Sequence, residues 1–181
     1  QFSDIQAAAT RIAGKVHRPP VLTCATIDAM AGAQLFFKCE NLQKVGAFKM
    51  RGATNAVFSL PDEAAALGVA THSSGNHAQA LALAARLRGV PAYVVMPSTA
   101  PEVKRAAVAD YGAEIITCEP TLAARESTLA EVVERTGAAF VHPYDNDDII
   151  AGQGTAALEL LTDYPDLDVV MAPVGGGGLL S

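Results

Sequence analysis

A lysine set between an aromatic residue and a run of small ones carries the most chemistry in this sequence: Gly46-Ala47-Phe48-Lys49-Met50-Arg51-Gly52-Ala53. It follows the apolar run Leu35-Phe36-Phe37. An ammonium held in apolar surroundings loses hydration, so its pKa falls and a neutral, nucleophilic amine becomes available. Such an amine forms a Schiff base with an aldehyde. The plainer alternative is a solvated lysine at a helix start. Two further stretches weigh against it. Gly175-Gly176-Gly177-Gly178 follows the apolar run Val169 to Val174. Backbone without Cβ atoms lets an anion approach closely, and successive N–H groups ring a phosphate. A helix beginning at Leu179 would add its positive end. The spaced-glycine nucleotide fingerprint fails, because its third position falls on Leu180 or Ser181, and no Walker lysine follows. The alternative here is a flexible turn. The third stretch, Ser73-Ser74-Gly75-Asn76-His77, sits where a strand meets a helix. It reads either as an ordinary N-cap or as a carboxylate nest with hydroxyls facing a cleft.

The elements that must hold these residues are legible in outline. Ser3 and Gln6 form a capping-box pattern that opens a helix closing near Gly14, and Pro19-Pro20 forces extended chain. Thr26 caps a short helix to about Ala31, and Leu35 to Cys39 reads as a strand. Ala53, Ala56, Val57 and Leu60 give Arg51 to Leu60 the pattern of an amphipathic helix, ended by Pro61. From Gly68 the rhythm becomes regular. Strands are expected at Val69–His72, Ala92–Met96, Glu114–Thr117 and Ala139–Val141. Helices are expected at Asn76–Arg88, Pro101–Tyr111 and Leu122–Arg135, with Gly89, Gly112 and Gly137 after the helix ends. Such alternation implies parallel strands joined by right-handed crossovers. A helix at Gly154–Leu161 and a strand at Asp168–Ala172 follow. The expected architecture is α/β with two lobes. Residues 68–145 form a small parallel-sheet lobe inserted into a larger one, made of 1–67 and 146–181. The larger lobe reads as incomplete, since its last strand and glycine loop need a covering helix.

Composition narrows the function classes. The chain has 181 residues, half of them apolar and 18% charged, so it can bury a sizeable core. A net charge of −6 gives no electrostatic reason to bind nucleic acid or an anionic membrane. No apolar stretch reaches membrane length, and the polar start at Gln1 does not read as a signal peptide. Cys24, Cys39 and Cys118 fit free thiols in a reducing cytoplasm, and the four histidines lack ligand spacing.

The Lys49, Ser73–His77 and glycine stretches, with Ala151-Gly152-Gln153-Gly154-Thr155, Thr99-Ala100-Pro101 and Tyr111-Gly112-Ala113, resemble the serine/threonine dehydratase and serine racemase family. These are fold-type II pyridoxal phosphate enzymes with a tryptophan-synthase-β-like fold. The resemblance covers essentially the whole chain. It implies that Lys49 carries pyridoxal 5'-phosphate as a Schiff base and that Phe48 packs by the cofactor. It implies that Asn76 bonds the phenolic oxygen, while Gly175, Gly176, Gly177, Gly178 and the Leu179 amide hold the phosphate. Ser73, Ser74, Gly75, Asn76 and His77 would bind the substrate carboxylate, with Arg125 as a helper. The sequence departs from the family's pattern at Tyr144, where some racemases carry Asn after His-Pro, and at Val45 and Ala47, where Thr and Ser are common.

The activity so implied is an ammonia-lyase converting a β-hydroxy amino acid such as L-serine or L-threonine to a keto acid and ammonia. Lys49 is its Cα base. Serine racemisation, with Ser74 as acid and base on the opposite face, and 3-hydroxyaspartate dehydration are the alternatives. A non-catalytic phosphate- or nucleotide-binding protein on the same sheet is the rival from another class, and it has no need of Lys49 beside Phe48. The resemblance further implies a homodimer, an ATP contact at Gln79 and Tyr111, and a divalent cation such as Mg. The ligands of that cation, and the partner of the pyridine nitrogen, are expected past Ser181.

Overall fold

The computed structural model describes residues 1–181. Its elements are α1 (Phe2–Ile12), β1 (Val21–Leu22), α2 (Ala25–Ala31), β2 (Phe37–Lys38), α3 (Lys49–Ser59), α4 (Asp62–Ala66), β3 (Val69–His72) and α5 (Asn76–Arg88). They continue with β4 (Ala92–Pro97), α6 (Glu102–Asp110), β5 (Glu114–Cys118), α7 (Leu122–Thr136), β6 (Ala139–Phe140) and α8 (Asp147–Asp163). A four-stranded sheet has the order β5-β4-β3-β6, and every pairing in it is parallel. Helices cover both faces, as the sequence predicts for an α/β fold. Ala70 and Val95 point to one side and pack with Leu129 and Val132 of α7. Val94 and Met96 point to the other and meet Ala78 and Ala82 of α5 and Val108 of α6. Both faces being covered explains why β4, Ala-Tyr-Val-Val-Met-Pro, is apolar on both sides rather than alternating.

The strand order decides where a ligand can sit. From β3 the chain builds outward through β4 to β5, then returns to place β6 on the other side of β3. The crevice at the carboxyl ends of β3 and β6 is therefore a topological switch point, the place where open α/β sheets bind ligands. Ser73–Asn76 leaves β3 there, and the connection from Val141 to Asn146 leaves β6 there.

Helix α3 ties the sheet to the rest. Its Met50, Ala53, Ala56 and Val57 share one core with Val69 of β3 and with Ala80, Leu81, Ala84 and Ala85 of α5. On its opposite side α3 lies against α8 so closely that both helices need glycine at the crossing. A Cβ on Gly152 would sit 2.5 Å from the Gly52 Cα and 2.8 Å from the Arg51 carbonyl oxygen. Interiors packed to this density leave no room to accommodate a methyl group.

Several elements differ from the sequence expectation. Helix α1 is capped from Gln1 through Asp4, not from Ser3 through Gln6, and α4 is an addition to the expected elements. Helix α8 begins at Asp147, where the Asn146 side chain accepts from the Ile149 amide, well before Gly154. The expected strand 35–39 shortens to Phe37–Lys38, paired antiparallel with β1. No strand forms at 168–172, and Val169, Val170, Met171 and Val174 are exposed. A strand needs a hydrogen-bonded neighbour, and no segment of this chain pairs with that one. The helix expected from Leu179 is a single turn, in which the Leu180 and Ser181 amides both reach the Gly177 carbonyl.

The α3–α8 crossing yields a direct test. Gly152→Ala should destabilise the fold by about 1–3 kcal/mol in urea unfolding, since neither backbone can give way. Gly175→Ala, at a position where a Cβ meets nothing within 4 Å, should leave the midpoint unchanged. Equal midpoints for the two variants would contradict the crossing.

Candidate active site

Lys49 is the first residue of α3, and three features set its chemistry. Its side chain is half-buried, and burial holds the amine below the ordinary lysine range. The positive end of the α3 dipole acts in the same direction. Its Nζ donates to the Pro143 carbonyl at 2.6 Å and lies 5.3 Å from the Phe48 ring centre. No carboxylate lies within ion-pair distance of it.

Two residues on, Arg51 has the opposite treatment. It is completely buried and clamped between two carboxylates. Nε and Nη2 donate to Glu40 at 2.9 and 2.8 Å, and Nη1 and Nη2 donate to Glu159 at 2.8 Å each. Nη1 also reaches the Thr155 hydroxyl at 3.1 Å, and Lys38 pairs with Glu159 at 2.6 Å. Burial pushes the Glu159 carboxyl up, but donation from Arg51 and Lys38 outweighs it and holds the group below its usual range. Beside this clamp the Arg51 amide takes the Phe48 carbonyl, and the Gly52 amide donates instead to Gln153 Oε1 at 3.1 Å. The Gly152-Gln153 motif is thereby explained as the seat of α3.

The Ser73–His77 stretch occupies the switch point. The Ser73 amide closes onto the Val95 carbonyl, and its hydroxyl accepts weakly from the Gly75 amide at 3.4 Å. Gly75 is the N-cap residue of α5, and no side chain caps that helix. The plain capping role is therefore not what Ser74 or Asn76 does: Ser74 is half-buried and Asn76 is exposed, and neither side chain is bonded within the chain. The first-turn amides of α5 are free of intrahelical partners. His77 turns inward. Its Nε2–H donates to the Val141 carbonyl at 3.2 Å, its Nδ1 is buried without a partner, and burial pushes its pKa down to about 3. What His77 presents to the crevice is its main-chain amide.

The glycine loop completes the group. The amides of Gly175 to Leu179 donate to no atom of the chain, so five successive N–H groups remain available. The loop lies on Tyr144: a Cβ on Gly176 would overlap that ring, and one on Gly178 would come within 3.0 Å of the Tyr144 carbonyl oxygen. The connection Val141-His142-Pro143-Tyr144 thus touches all three predicted stretches, through His77, Lys49 and the glycines in turn. Sequence reasoning leaves this connection unassigned, and its only signal is the His-Pro pair. Arg125 does not join the group by any contact. Its Nε is buried without a partner, and its charge is felt at His72, whose pKa is lowered first by burial and then by His142. The arrangement suits a pyridoxal phosphate: a desolvated amine for its aldehyde, and a cup of unpaired amides for its phosphate.

Two measurements follow from the electrostatics. Arg51→Met leaves the Glu40 carboxylate without a partner and Glu159 with Lys38 alone, and should cost about 3–5 kcal/mol in chemical unfolding. His77 carries the pH test. Its folded pKa of about 3 lies below its reference of 6.5, so the unfolded chain binds the extra proton between these values. The stability it contributes is complete above pH 6.5 and is lost as pH falls toward 3. The lowered Glu159 carboxyl works in the same direction at lower pH. In His77→Gln the loss of stability between pH 7 and about pH 5 should be smaller than in the parent; an unchanged loss would show that the imidazole is not held neutral.

Comparison with known proteins places the chain in a family. The family model described as "Pyridoxal-phosphate dependent enzyme" matches residues 12–181. The beta-hydroxyaspartate dehydratase of Paracoccus denitrificans is 55% identical over 180 residues, which cover 99% of this chain and 57% of that protein. The crystal structure of serine racemase from Dictyostelium discoideum superposes with a TM-score of 0.97 at 53% identity, over 99% of this chain and 59% of that one. The structure of maize serine racemase gives a TM-score of 0.98 at 50% identity, over 99% of this chain and 55% of that one. The chain therefore spans little more than half the length of the relatives it matches. With that model matching residues 12–181 and relatives of this identity aligned over 99% of its length, the chain belongs to the pyridoxal-phosphate dependent enzyme family.

Proposed function

We propose that this chain is the lysine-bearing part of an ammonia-lyase that converts a β-hydroxy amino acid, such as L-serine or L-threonine, to a keto acid and ammonia. The observation that carries the reading is Lys49, an amine without a counter-ion and with a lowered pKa, linked to the glycine cup through the adjacent Pro143 and Tyr144. When bound, the cofactor withdraws electrons from the substrate Cα. The chain's own residues do the rest. The amides of Gly175 to Leu179 hold the phosphate, Phe48 packs by the ring, and Asn76 reaches the phenolic oxygen. The hydroxyl of Ser73 and the amides of Gly75, Asn76 and His77 take the substrate carboxylate, with Arg125 a helper across the sheet. Freed Lys49 removes the Cα proton. Residues 68–145 act as a small substrate lobe and 1–67 with 146–181 as the cofactor lobe, so a substrate bridging both draws water out of the crevice.

Two observations favour further readings. The Ser74 hydroxyl is free of any capping duty, which suits a proton donor on the face opposite Lys49 and hence racemisation. The similarity to a beta-hydroxyaspartate dehydratase adds 3-hydroxyaspartate to serine and threonine as a substrate. A homodimer, ATP at Gln79 and Tyr111, a divalent cation and a cytoplasmic location complete the proposal. Three free thiols suit the last. No helix is long and apolar enough to cross a membrane.

The test is chemical. Borohydride reduction should fix the cofactor's mass on the peptide of Lys49, and label on Lys44 or Lys38 instead would sink the assignment. Lys49→Ala should abolish turnover of L-serine, L-threonine and L-threo-3-hydroxyaspartate. Lys49→Arg should not restore it, because a guanidinium stays protonated. Ser74→Ala should abolish interconversion of L- and D-serine while elimination from L-serine persists. Proportionate loss of both would leave Ser74 a binding residue only.

A further inference from the structure

We infer that His142 is a positioning residue for Lys49. Its unprotonated Nδ1 gathers the amides of Tyr144 and Asp145, and this turns the Pro143 carbonyl toward the lysine and the Tyr144 ring onto the glycine loop. The inference rests on the reading of Lys49 as the cofactor's anchor. Nδ1 lies 2.8 Å from the Asp145 nitrogen and 3.3 Å from the Tyr144 nitrogen. A backbone N–H can only donate, so Nδ1 carries a lone pair and the ring proton is on Nε2. The imidazole thus does for this turn what an Asn or Asp side chain does when it accepts from amides just ahead of it. Pro143 has no N–H of its own with which to close the bend.

The consequences lie on the next two residues. The Pro143 carbonyl accepts from Lys49 Nζ at 2.6 Å. The Tyr144 ring stands edge-on to the His142 ring at 4.6 Å between centres. The same ring is the surface that a Cβ on Gly176 would strike, while the Tyr144 carbonyl oxygen limits Gly178 at 3.0 Å. One acceptor atom therefore fixes both the amine and the cup relative to the same short connection. Without that acceptor two amides lose their partner, and the connection from β6 to α8 is free to straighten.

The decisive comparison is between His142→Phe and His142→Asn in the holoenzyme. Phe keeps a ring against Tyr144 but has no acceptor. Asn gives up the ring but offers an oxygen to the same amides. We expect His142→Phe to weaken retention of pyridoxal phosphate in equilibrium dialysis about tenfold, the scale of one lost hydrogen bond, and to lower the fraction of Lys49 fixed by borohydride. His142→Asn should recover most of both. A role in packing alone gives the reverse ranking, with Phe tolerated and Asn not, and that result overturns the inference. Should the Phe variant fail to fold, amide hydrogen exchange in the wild-type protein decides. Protection at Tyr144 and Asp145 supports the acceptor role, and exchange at the rate of open chain overturns it. Wild-type protein left unlabelled at Lys49 sinks the anchor reading and this one with it, whereas labelled wild type with an unaffected Phe variant sinks this one alone.

Discussion

The guanidinium of Arg51, buried between Glu40 and Glu159, is the interaction on which the rest of the structure depends. Burying one such ion costs several kcal/mol, and only excellent geometry offsets that cost. Here the geometry is two-sided: both carboxylates receive paired N–H bonds, and Lys38 closes the charge count against Glu159. The clamp joins three places in the chain, the turn at Glu40–Leu42, the first turn of α3 and the last part of α8. Because Arg51 is on the first turn of α3, fixing it fixes the rotation and advance of that helix, and Lys49 inherits the placement. The lysine proposed to anchor the cofactor is aimed by a neighbour two residues on.

The helix crossing works in concert with the clamp. Glycines at 52 and 152 bring the α3 and α8 backbones together, and Gln153 fills the space that a side chain at position 52 would take. Its amide oxygen then satisfies a first-turn donor that would otherwise be buried without a partner. The loop before Lys49 is held with equal firmness. Val45 adopts φ +57°, a conformation disfavoured for a β-branched residue. The buried side chain of Gln43 over-determines that loop, accepting from the amides of His17 and Lys44 and donating to the His17 carbonyl. Strain of roughly 1–3 kcal/mol at such a residue persists only where its surroundings dictate it.

What can be read in the sequence and what cannot divide along physical lines. Val69–His72 and Asn76–Arg88 fall where periodicity and the Gly89 stop place them, because local signals and the buried sheet agree there. The start of α8 is hidden because Gly152 and Gly154 look like helix breakers, and only the packing of α3 on Gly152 and of Ile5 of α1 on Gly154 reveals why glycine belongs inside that helix. The run at Val169–Val174 is apolar enough for a strand, but pairing is a tertiary fact that no run of residues supplies alone. In the site, Lys49, the glycine loop and Ser73–His77 announce themselves by residue type. The partners of Arg51 do not, since Glu40 and Glu159 lie 11 and 108 positions away with no motif around them. His142-Pro143-Tyr144 is equally silent, because its work is done by a ring nitrogen, a carbonyl and a ring face.

Two lysines in this chain show how the fold separates structure from chemistry. Lys38 and Lys49 are both drawn into the protein, and both donate to a proline carbonyl, Pro19 in one case and Pro143 in the other. Lys38 also receives a carboxylate, Glu159 at 2.6 Å, and so belongs to the structural network around Arg51. Lys49 receives none. His77, which feels the charge of Lys49, is kept neutral by burial, and its inward hydrogen bond to Val141 leaves no charge to offer. Glu40 and Glu159 are already spent on Arg51 and Lys38. Desolvation at Lys49 is therefore uncompensated, and the amine's proton is made easy to lose. A carboxylate supplied to this lysine would stabilise the fold and silence it as a nucleophile, so the commitment of Glu40 and Glu159 to the Arg51 clamp is as much a part of the site as the lysine itself.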